Sequence, residues 1–295
     1  MTLLDVSSAK MSLVRIAYVI SAYRSPAQLG RLVRRLHTGA DTTFTVHVDK
    51  KTSRDVYAEM RAALDGLDVR FLPRHACHWG GFGHVEASLK GLRAVMEHEP
   101  RPDYVVLLSG QDYPIKSNAF IRDFLDRADG RSFFLHFALP TENWTNGGLD
   151  RIRNWHVRYR GLHLSLPLRR QLPNSLVPWG GSAYWIVSNR AARTILEFLE
   201  ANPSYVRFFR HVDVPDELFF QTILLNSAEA DHCVNFRLHH TEWSRHPAPA
   251  ILTGEDYPHL VSSTCLFARK FDPAVDETVL DRVDRTLLTA SAPVG

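Results

Sequence analysis

Up to residue 110, hydrophobic positions alternate between two patterns. Val14–Ile20 is an apolar, β-branched run interrupted by Arg15, which predicts a buried strand. Ser25-Pro26 then supplies an N-cap and a proline at the first helical position, opening a helix through His37. Thr42–Val48 predicts a second strand that ends in Asp49-Lys50-Lys51, Ser53–Leu64 a helix, and Val69–Leu72 a third strand. After the glycine-rich turn Trp79-Gly80-Gly81-Phe82-Gly83, His84–Glu99 has helical spacing and Tyr104–Leu108 is a fourth strand. Strands separated by helices of about 10–15 residues imply right-handed βαβ units and a mainly parallel sheet with helices on both faces.

The second half is less regular. Trp144–Arg170 is aromatic and arginine-rich, punctuated by Gly147-Gly148 and Pro167, and reads only as mixed loop and short helix. Pro178–Val187 is a turn feeding a strand. Helices follow at Asn189–Glu200, with Asn189 as N-cap, at Pro215–Leu225 and at Asp276–Leu288. No repeat, low-complexity tract or linker divides the chain, so the pattern predicts one compact domain with two fused halves.

Composition narrows the class. The 295 residues are 45% hydrophobic and 23% charged, with a net charge of +3, which excludes disorder, collagen-like repeats and a coiled coil as the main architecture. Three cysteines, Cys77, Cys233 and Cys265, are too few for a disulfide framework and imply a reducing compartment. The apolar run at Leu13–Ile20 is too short for a membrane span and lacks the organisation of a signal peptide. A soluble, cytoplasmic protein is expected. Of the 35 basic residues 29 are arginine, and no Lys/Arg run reaches five, so no nucleic-acid partner is expected.

In open α/β sheets, ligands collect outside the carboxyl ends of the strands. Those ends carry Ser21 and Tyr23, Asp49, and Ser109-Gly110-Gln111-Asp112. Neither a GxGxxG fingerprint nor a GxxxxGK[ST] loop is present. Asp49 suits a ribose hydroxyl or a base N–H, and equally a turn or cap; Asp112 precedes Tyr113-Pro114, where an aspartate is also a plain turn residue. No DxD pair that would hold a divalent cation on a sugar nucleotide occurs. His75-Ala76-Cys77-His78, with His84 nearby, lacks the second ligand pair that a closed zinc site needs. Cys77 and Cys265 lack a Cys-His signature of a thiol nucleophile. Glu217 lies in the first turn of a helix that is apolar nearly all round and therefore buried, so its carboxylate faces a cleft or an interface. Alternatively, Asp216 and Glu217 simply complement the helix dipole. Arg269-Lys270 places two cations in an apolar setting, where they need anionic partners: internal acids such as Asp272 and Asp276, or a diphosphate.

Seven segments in sequence order carry a resemblance: Tyr18–Tyr23, Val46–Lys50, Trp79–Gly81, Leu108–Lys116, Trp179–Tyr184, Pro215–Phe220 and Phe267–Phe271. Together they resemble the Core-2/I-branching glycosyltransferase family, which includes mucin-branching N-acetylglucosaminyltransferases and peptide O-xylosyltransferases. The likeness spans roughly residues 14 to 285 and is to a compact bacterial member, without the membrane anchor, stem and cysteine pairs of the Golgi enzymes. It implies a GT-A type α/β fold, with a nucleotide-binding half at about 12–137 and, at 138–295, an acceptor half with a C-terminal phosphate-binding segment. The implied reaction is metal-independent, inverting transfer of a GlcNAc- or xylose-type sugar from a UDP-sugar to the hydroxyl of a glycan, glycoside or small molecule. No cofactor or divalent metal is implied. Glu217 matches the general base. Asp49 matches the uracil contact, with Val19 and Ser21 on the adjoining strand end and Trp79 also on the donor side. Arg269 and Lys270 match the pair that meets the diphosphate. Trp243-Ser244-Arg245 resembles a loop over donor and acceptor, with Arg245 as a third phosphate-facing cation or an acceptor contact. Asp112, Trp179, Gly181, Ser182 and Trp243 fall on the acceptor side. The forms of Trp79-Gly80-Gly81 and Ala268-Arg269-Lys270-Phe271 lean towards the xylosyltransferase branch. The residues themselves leave open an inactive nucleotide- or glycan-binding member, or a metal-dependent transferase.

Overall fold

The computed structural model describes residues 14–159, 162–243 and 248–289. Strand β1 (Ile16–Ala22) is apolar on both faces and lies at the heart of the main sheet, as expected of a strand covered by helices on either side. It pairs in parallel with β2 (Thr42–Val48) and β4 (Tyr104–Ser109), and β3 (Val69–Phe71) joins β2 in parallel. Helices α1 (Pro26–Leu36), α2 (Arg54–Ala63) and α3 (Gly83–Met96) make the crossovers. The chain continues through β5 (Tyr113–Pro114), α4 (Asn118–Arg127), β6 (Ser132–Phe134), β7 (His136–Ala138) and α5 (Asp150–Arg153). Then come β8 (Trp155–Tyr159), β9 (Leu162–Leu166), β10 (Trp179–Gly181), β11 (Ile186–Ser188), α6 (Asn189–Ala201), α7 (Pro203–Phe209) and α8 (Phe219–Leu225). It closes with β12 (Cys233–Asn235), β13 (His239–Thr241), α9 (Tyr257–Ser262), β14 (Phe267–Arg269) and α10 (Thr278–Thr286).

The main sheet has seven strands in the order β12-β6-β11-β4-β1-β2-β3, with β11 alone antiparallel to its neighbours. It draws strands from both predicted halves. Alternation along β1 divides the core. Ile16, Tyr18 and Ile20 face α1, α4 and α10, whereas Ala17 and Val19 face α3, α6 and α8. α3 reaches the sheet because Gly91 has no side chain: a Cβ there would lie 2.2 Å from Val19 Cγ1.

Four local expectations change. Ser25 is left-handed at φ 57 and makes no side-chain cap, so Pro26 alone favours the start of α1. Ser188, not Asn189, caps α6 by accepting from Ala191 N, while Asn189 Nδ2 donates to the Pro102 carbonyl at 2.8 Å. The stretch 215–225 is a 3-10 turn, Pro215–Glu217, broken from α8 at Leu218. The stretch 144–170 contains α5 and an antiparallel ribbon, β8–β9, that forms a sheet of its own.

Candidate active site

The ends of β1 and β4 meet the loop after β14 in a cluster of cations around one buried carboxylate. β14 pairs with β5 so that Ala268 lies opposite Tyr113, which sets Arg269 beside Asp112. Asp112 is 0% exposed. It accepts from Ser109 N and Ser109 Oγ, each at 2.7 Å, and from Arg269 Nε at 3.0 Å, with His239 Nε2 3.6 Å away. Burial would raise its carboxyl, but the Arg269 charge and the His239 contact outweigh that and hold it below the usual carboxylate range. Arg269 also stacks on Tyr184, 4.3 Å from the ring centroid. Lys270 is half-buried and has no ion-pair partner among the described residues. Burial, then the neighbouring charges of Arg269 and Arg24, lower its pKa. Arg24 comes from the end of β1 and pairs with Asp272 at 3.1 Å. Asp276 instead accepts from Gly254 N and Thr278 N. The internal partner of Arg269 is therefore Asp112, and neither Asp272 nor Asp276 neutralises Lys270.

The second cluster surrounds the turn before α8. Val214 is left-handed at φ 47, ψ 57, and its N–H donates to the Gly80 carbonyl at 3.0 Å. The Trp79-Gly80 loop is thereby fastened to the Glu217 turn. Glu217 is half-buried and accepts from Arg151 Nη1 at 2.8 Å. Burial and the adjacent Asp216 raise its carboxyl pKa despite that bond. Asp216 is pushed up to about 6 by burial, and its Oδ1 is buried without a hydrogen bond. Two carboxyl groups with raised pKa values, side by side, form an arrangement suited to moving a proton near neutral pH.

The family described as Core-2/I-Branching enzyme matches residues 16–261. The chain belongs to that family. Xylosyltransferase 2 of Rattus norvegicus is 27% identical over 304 residues, covering 95% of this chain and 34% of the relative. Human Xylosyltransferase 1 is 26% identical over 294 residues, covering 92% and 30%. Xylosyltransferase oxt of Drosophila melanogaster is 25% identical over 308 residues, covering 93% and 33%. The chain thus spans about a third of the length of these curated relatives. Among solved structures, apo mouse Xyloside xylosyltransferase 1 aligns with a TM-score of 0.41 at 12% identity, covering 86% of this chain and 96% of that one. Among the described residues, no helix is long and apolar enough to cross a membrane.

Within this Core-2/I-branching chain the remaining expected positions divide. Asp49 is 8% exposed at the end of β2. Its Oδ1 accepts from Lys51 N at 2.9 Å and its Oδ2 lies 3.4 Å from Lys51 Nζ. Ser21, half-buried on β1, stands between His47 and Ser109. Trp79 is 76% exposed under the Arg158 guanidinium. Three of the expected positions are held by packing or by internal bonds. The Val19 side chain is core, packed on Gly91, and does not reach the strand ends. Asp112 is sealed by its own hydrogen bonds and offers no surface to an acceptor. Gly181 is required by packing, since a Cβ there would lie 1.9 Å from the Leu135 carbonyl oxygen. Trp179 and Ser182 are pinned to α8: Trp179 N donates to Thr222 Oγ1 at 3.1 Å, and the Ser182 carbonyl accepts from Gln221 Nε2. Trp243 is 41% exposed just beyond β13; Arg245 lies outside the described residues.

The sequence reading missed Arg151 and Trp144. The Arg151 guanidinium stacks 3.8 Å from the Trp144 ring centroid while it holds Glu217. The Trp144 ring in turn fits against Gly180, where a Cβ would lie 2.6 Å from the ring. A glycine in the Trp179-Gly180-Gly181 motif therefore supports the carboxylate at second hand. The available signal was an aromatic and an arginine seven positions apart in the otherwise unassigned stretch.

Proposed function

We propose that the protein transfers a sugar from a UDP-sugar to an acceptor hydroxyl with inversion, using Glu217 as the general base and side-chain cations in place of a donor-bound metal. The observation that carries this reading is the raised, Arg151-held carboxylate of Glu217 in a Core-2/I-branching chain. Direct displacement at the anomeric carbon needs a base to take the acceptor proton, a contribution of about 10²–10⁴ in rate. A carboxylate held away from full hydration has a higher proton affinity and suits that task. Displacement also develops negative charge on the leaving UDP, which positioned cations stabilise in a water-poor cleft. Lys270, with no ion-pair partner among the described residues, supplies a point charge; Arg269, anchored on Asp112, supplies the planar fork. Asp49 at the end of β2 suits the uracil, and Trp79, 76% exposed, offers aromatic surface for a sugar ring. The names of the relatives favour xylose as the donated sugar.

One observation favours a second assignment within this reaction. Asp216, unlike Glu217, keeps a buried oxygen without a partner, so Asp216 is the alternative base.

A panel of UDP-sugars scored for slow donor hydrolysis tests the donor without knowledge of the acceptor. UDP-xylose is expected to be cleaved fastest. Transfer is expected to persist in excess EDTA and to gain nothing from Mn²⁺; a tenfold rise with Mn²⁺ would overturn the metal-free reading.

A further inference from the structure

Outside the residues given a role above, the β8–β9 ribbon presents a set of chelating groups to the segment that leads into the Glu217 turn. Its register sets His156 opposite Ser165 and Arg158 opposite His163, all on one face. His156 is buried, and its Nε2 donates to the Asp150 carbonyl at 3.0 Å. That bond fixes the tautomer and leaves a lone pair on Nδ1, which lies 3.1 Å from His163 Nε2. His163 Nε2 is in turn 3.6 Å from Asp213 Oδ1, and the three ligand atoms lie within 4.8 Å of one another. The same Asp213 Oδ1 accepts from Arg158 Nε at 3.0 Å and from Arg158 Nη2.

Zinc–nitrogen bonds of about 2.0–2.1 Å in tetrahedral geometry separate neighbouring ligand atoms by about 3.3 Å. Two of the three spacings, 3.1 and 3.6 Å, bracket that value, and the third is within 4.8 Å. Metal-bound imidazoles commonly donate their other N–H to a carbonyl, and ligating carboxylates are themselves hydrogen-bonded. His156 with Asp150, and Asp213 with Arg158, already hold those outer contacts. We propose that His156 Nδ1, His163 Nε2 and a carboxylate oxygen of Asp213 bind one zinc-class divalent ion, whose fourth position is open to water.

The other group of potential ligands among the described residues, His47, His75 and Cys77, is closed by its own bonds. His75 Nε2 donates to the Gly83 carbonyl at 2.8 Å while its Nδ1 faces Lys90 Nζ at 2.9 Å. His47 Nε2 accepts from His75 N at 3.2 Å. For the His156 site, His163 has to carry its single proton on Nδ1 rather than Nε2, and Asp213 has to share the contact that Arg158 makes with its Oδ1. The ion would tie the ribbon, a two-stranded sheet of a kind that is marginal alone in water, to the segment that carries Glu217. This site is separate from the Asp112–Arg269–Lys270 cluster and does not rest on the proposed transferase reaction.

Zinc titrated calorimetrically into untagged, chelator-stripped protein is expected to saturate at one ion per chain and to raise the melting temperature. His163→Gln, at an exposed ring, is expected to weaken zinc binding at least about tenfold while leaving UDP affinity unchanged; Cys77→Ser is expected to leave zinc binding intact. X-ray absorption at the zinc edge of the wild-type protein needs no variant. It is expected to show nitrogen and oxygen neighbours at about 2.0–2.1 Å and no sulfur at about 2.3 Å. The proposal is overturned by the absence of saturable binding, by unchanged affinity in His163→Gln, or by a sulfur shell, which would assign the ion to Cys77.

Discussion

Two arginine–carboxylate pairs flank the candidate site, at nearly the same contact distance, and their acids are driven in opposite directions. Arg269 lies 3.0 Å from Asp112 and Arg151 lies 2.8 Å from Glu217. Asp112 is held below its usual range and Glu217 above it. The difference comes from what else each carboxylate meets. Asp112 accepts two further bonds from Ser109, which satisfy its charge in the interior. Glu217 has one arginine and a neighbouring acid. A buried charge with a full set of donors is held ionised, whereas a half-buried one with a like charge beside it takes up a proton more readily, as the proposed base must.

The largest effect tests the structural side of this contrast. Asp112→Asn leaves Arg269 buried without its anion and is expected to cost about 3–5 kcal/mol of stability, read from chemical denaturation. Because the Asp112 pKa is lowered in the folded state, its contribution is fully present above the unfolded aspartate value. It is lost as the pH falls through the lowered folded value, so wild type and variant should converge only in strong acid.

On the reactive side, Glu217→Gln is expected to keep UDP affinity and lose at least about two orders of magnitude in transfer. If Asp216→Asn proves crippling and Glu217→Gln mild, the base is Asp216. Lys270→Ala comes next. Loss of a charge-assisted contact predicts roughly tenfold weaker UDP binding, together with a lower kcat, since the contact strengthens as charge develops on the leaving group. With no ion pair of Lys270 among the described residues to break, the melting temperature should not fall. An unchanged UDP isotherm would remove Lys270 from the donor site.

The smallest effect has the opposite sign. Asp216 is raised to about 6 in the folded state, so ionising it disfavours folding as the pH rises from the unfolded aspartate value towards 6. Asp216→Asn is therefore expected to raise the melting temperature at pH 7 by a few degrees, with the gain fading as the pH drops towards 4.

The alternation of β1, α1, β2, α2, β3, α3 and β4 was legible because each element carries its own period and its own punctuation. Parallel strands buried on both faces leave unbroken apolar runs at β1 and β4, and Pro26 marks a helix start wherever the chain goes next. The β8–β9 ribbon was not legible. Leu162 and Leu164 are exposed, so no buried-face alternation announces the strands. The break at Leu218 was hidden for a related reason, since Pro215–Leu225 has helical composition throughout and the interruption follows from how Val214 is held by Gly80. Glu217, Arg269 and Lys270 could be picked out as charges in apolar surroundings. Their partners Arg151 and Asp112 are 66 and 157 positions away, and no local period reports such distances. Gly181 carries a second constraint that no local pattern announces: a Cβ there would lie 1.9 Å from the Leu135 carbonyl oxygen.

Val214 gives the site a particular mutational landscape. A β-branched residue is a poor fit to φ 47, and conformations of this kind cost of the order of 1–3 kcal/mol each. Glycine would relieve that cost in the folded chain and would also loosen the hinge on which Glu217 is presented. Selection for heat resistance alone would thus be drawn to substitutions at Val214 in which the turn relaxes, while selection for turnover would restore valine. Laboratory evolution under each pressure in turn should therefore revisit this position, trading toughness against speed at a residue whose N–H is tied to the Gly80 carbonyl.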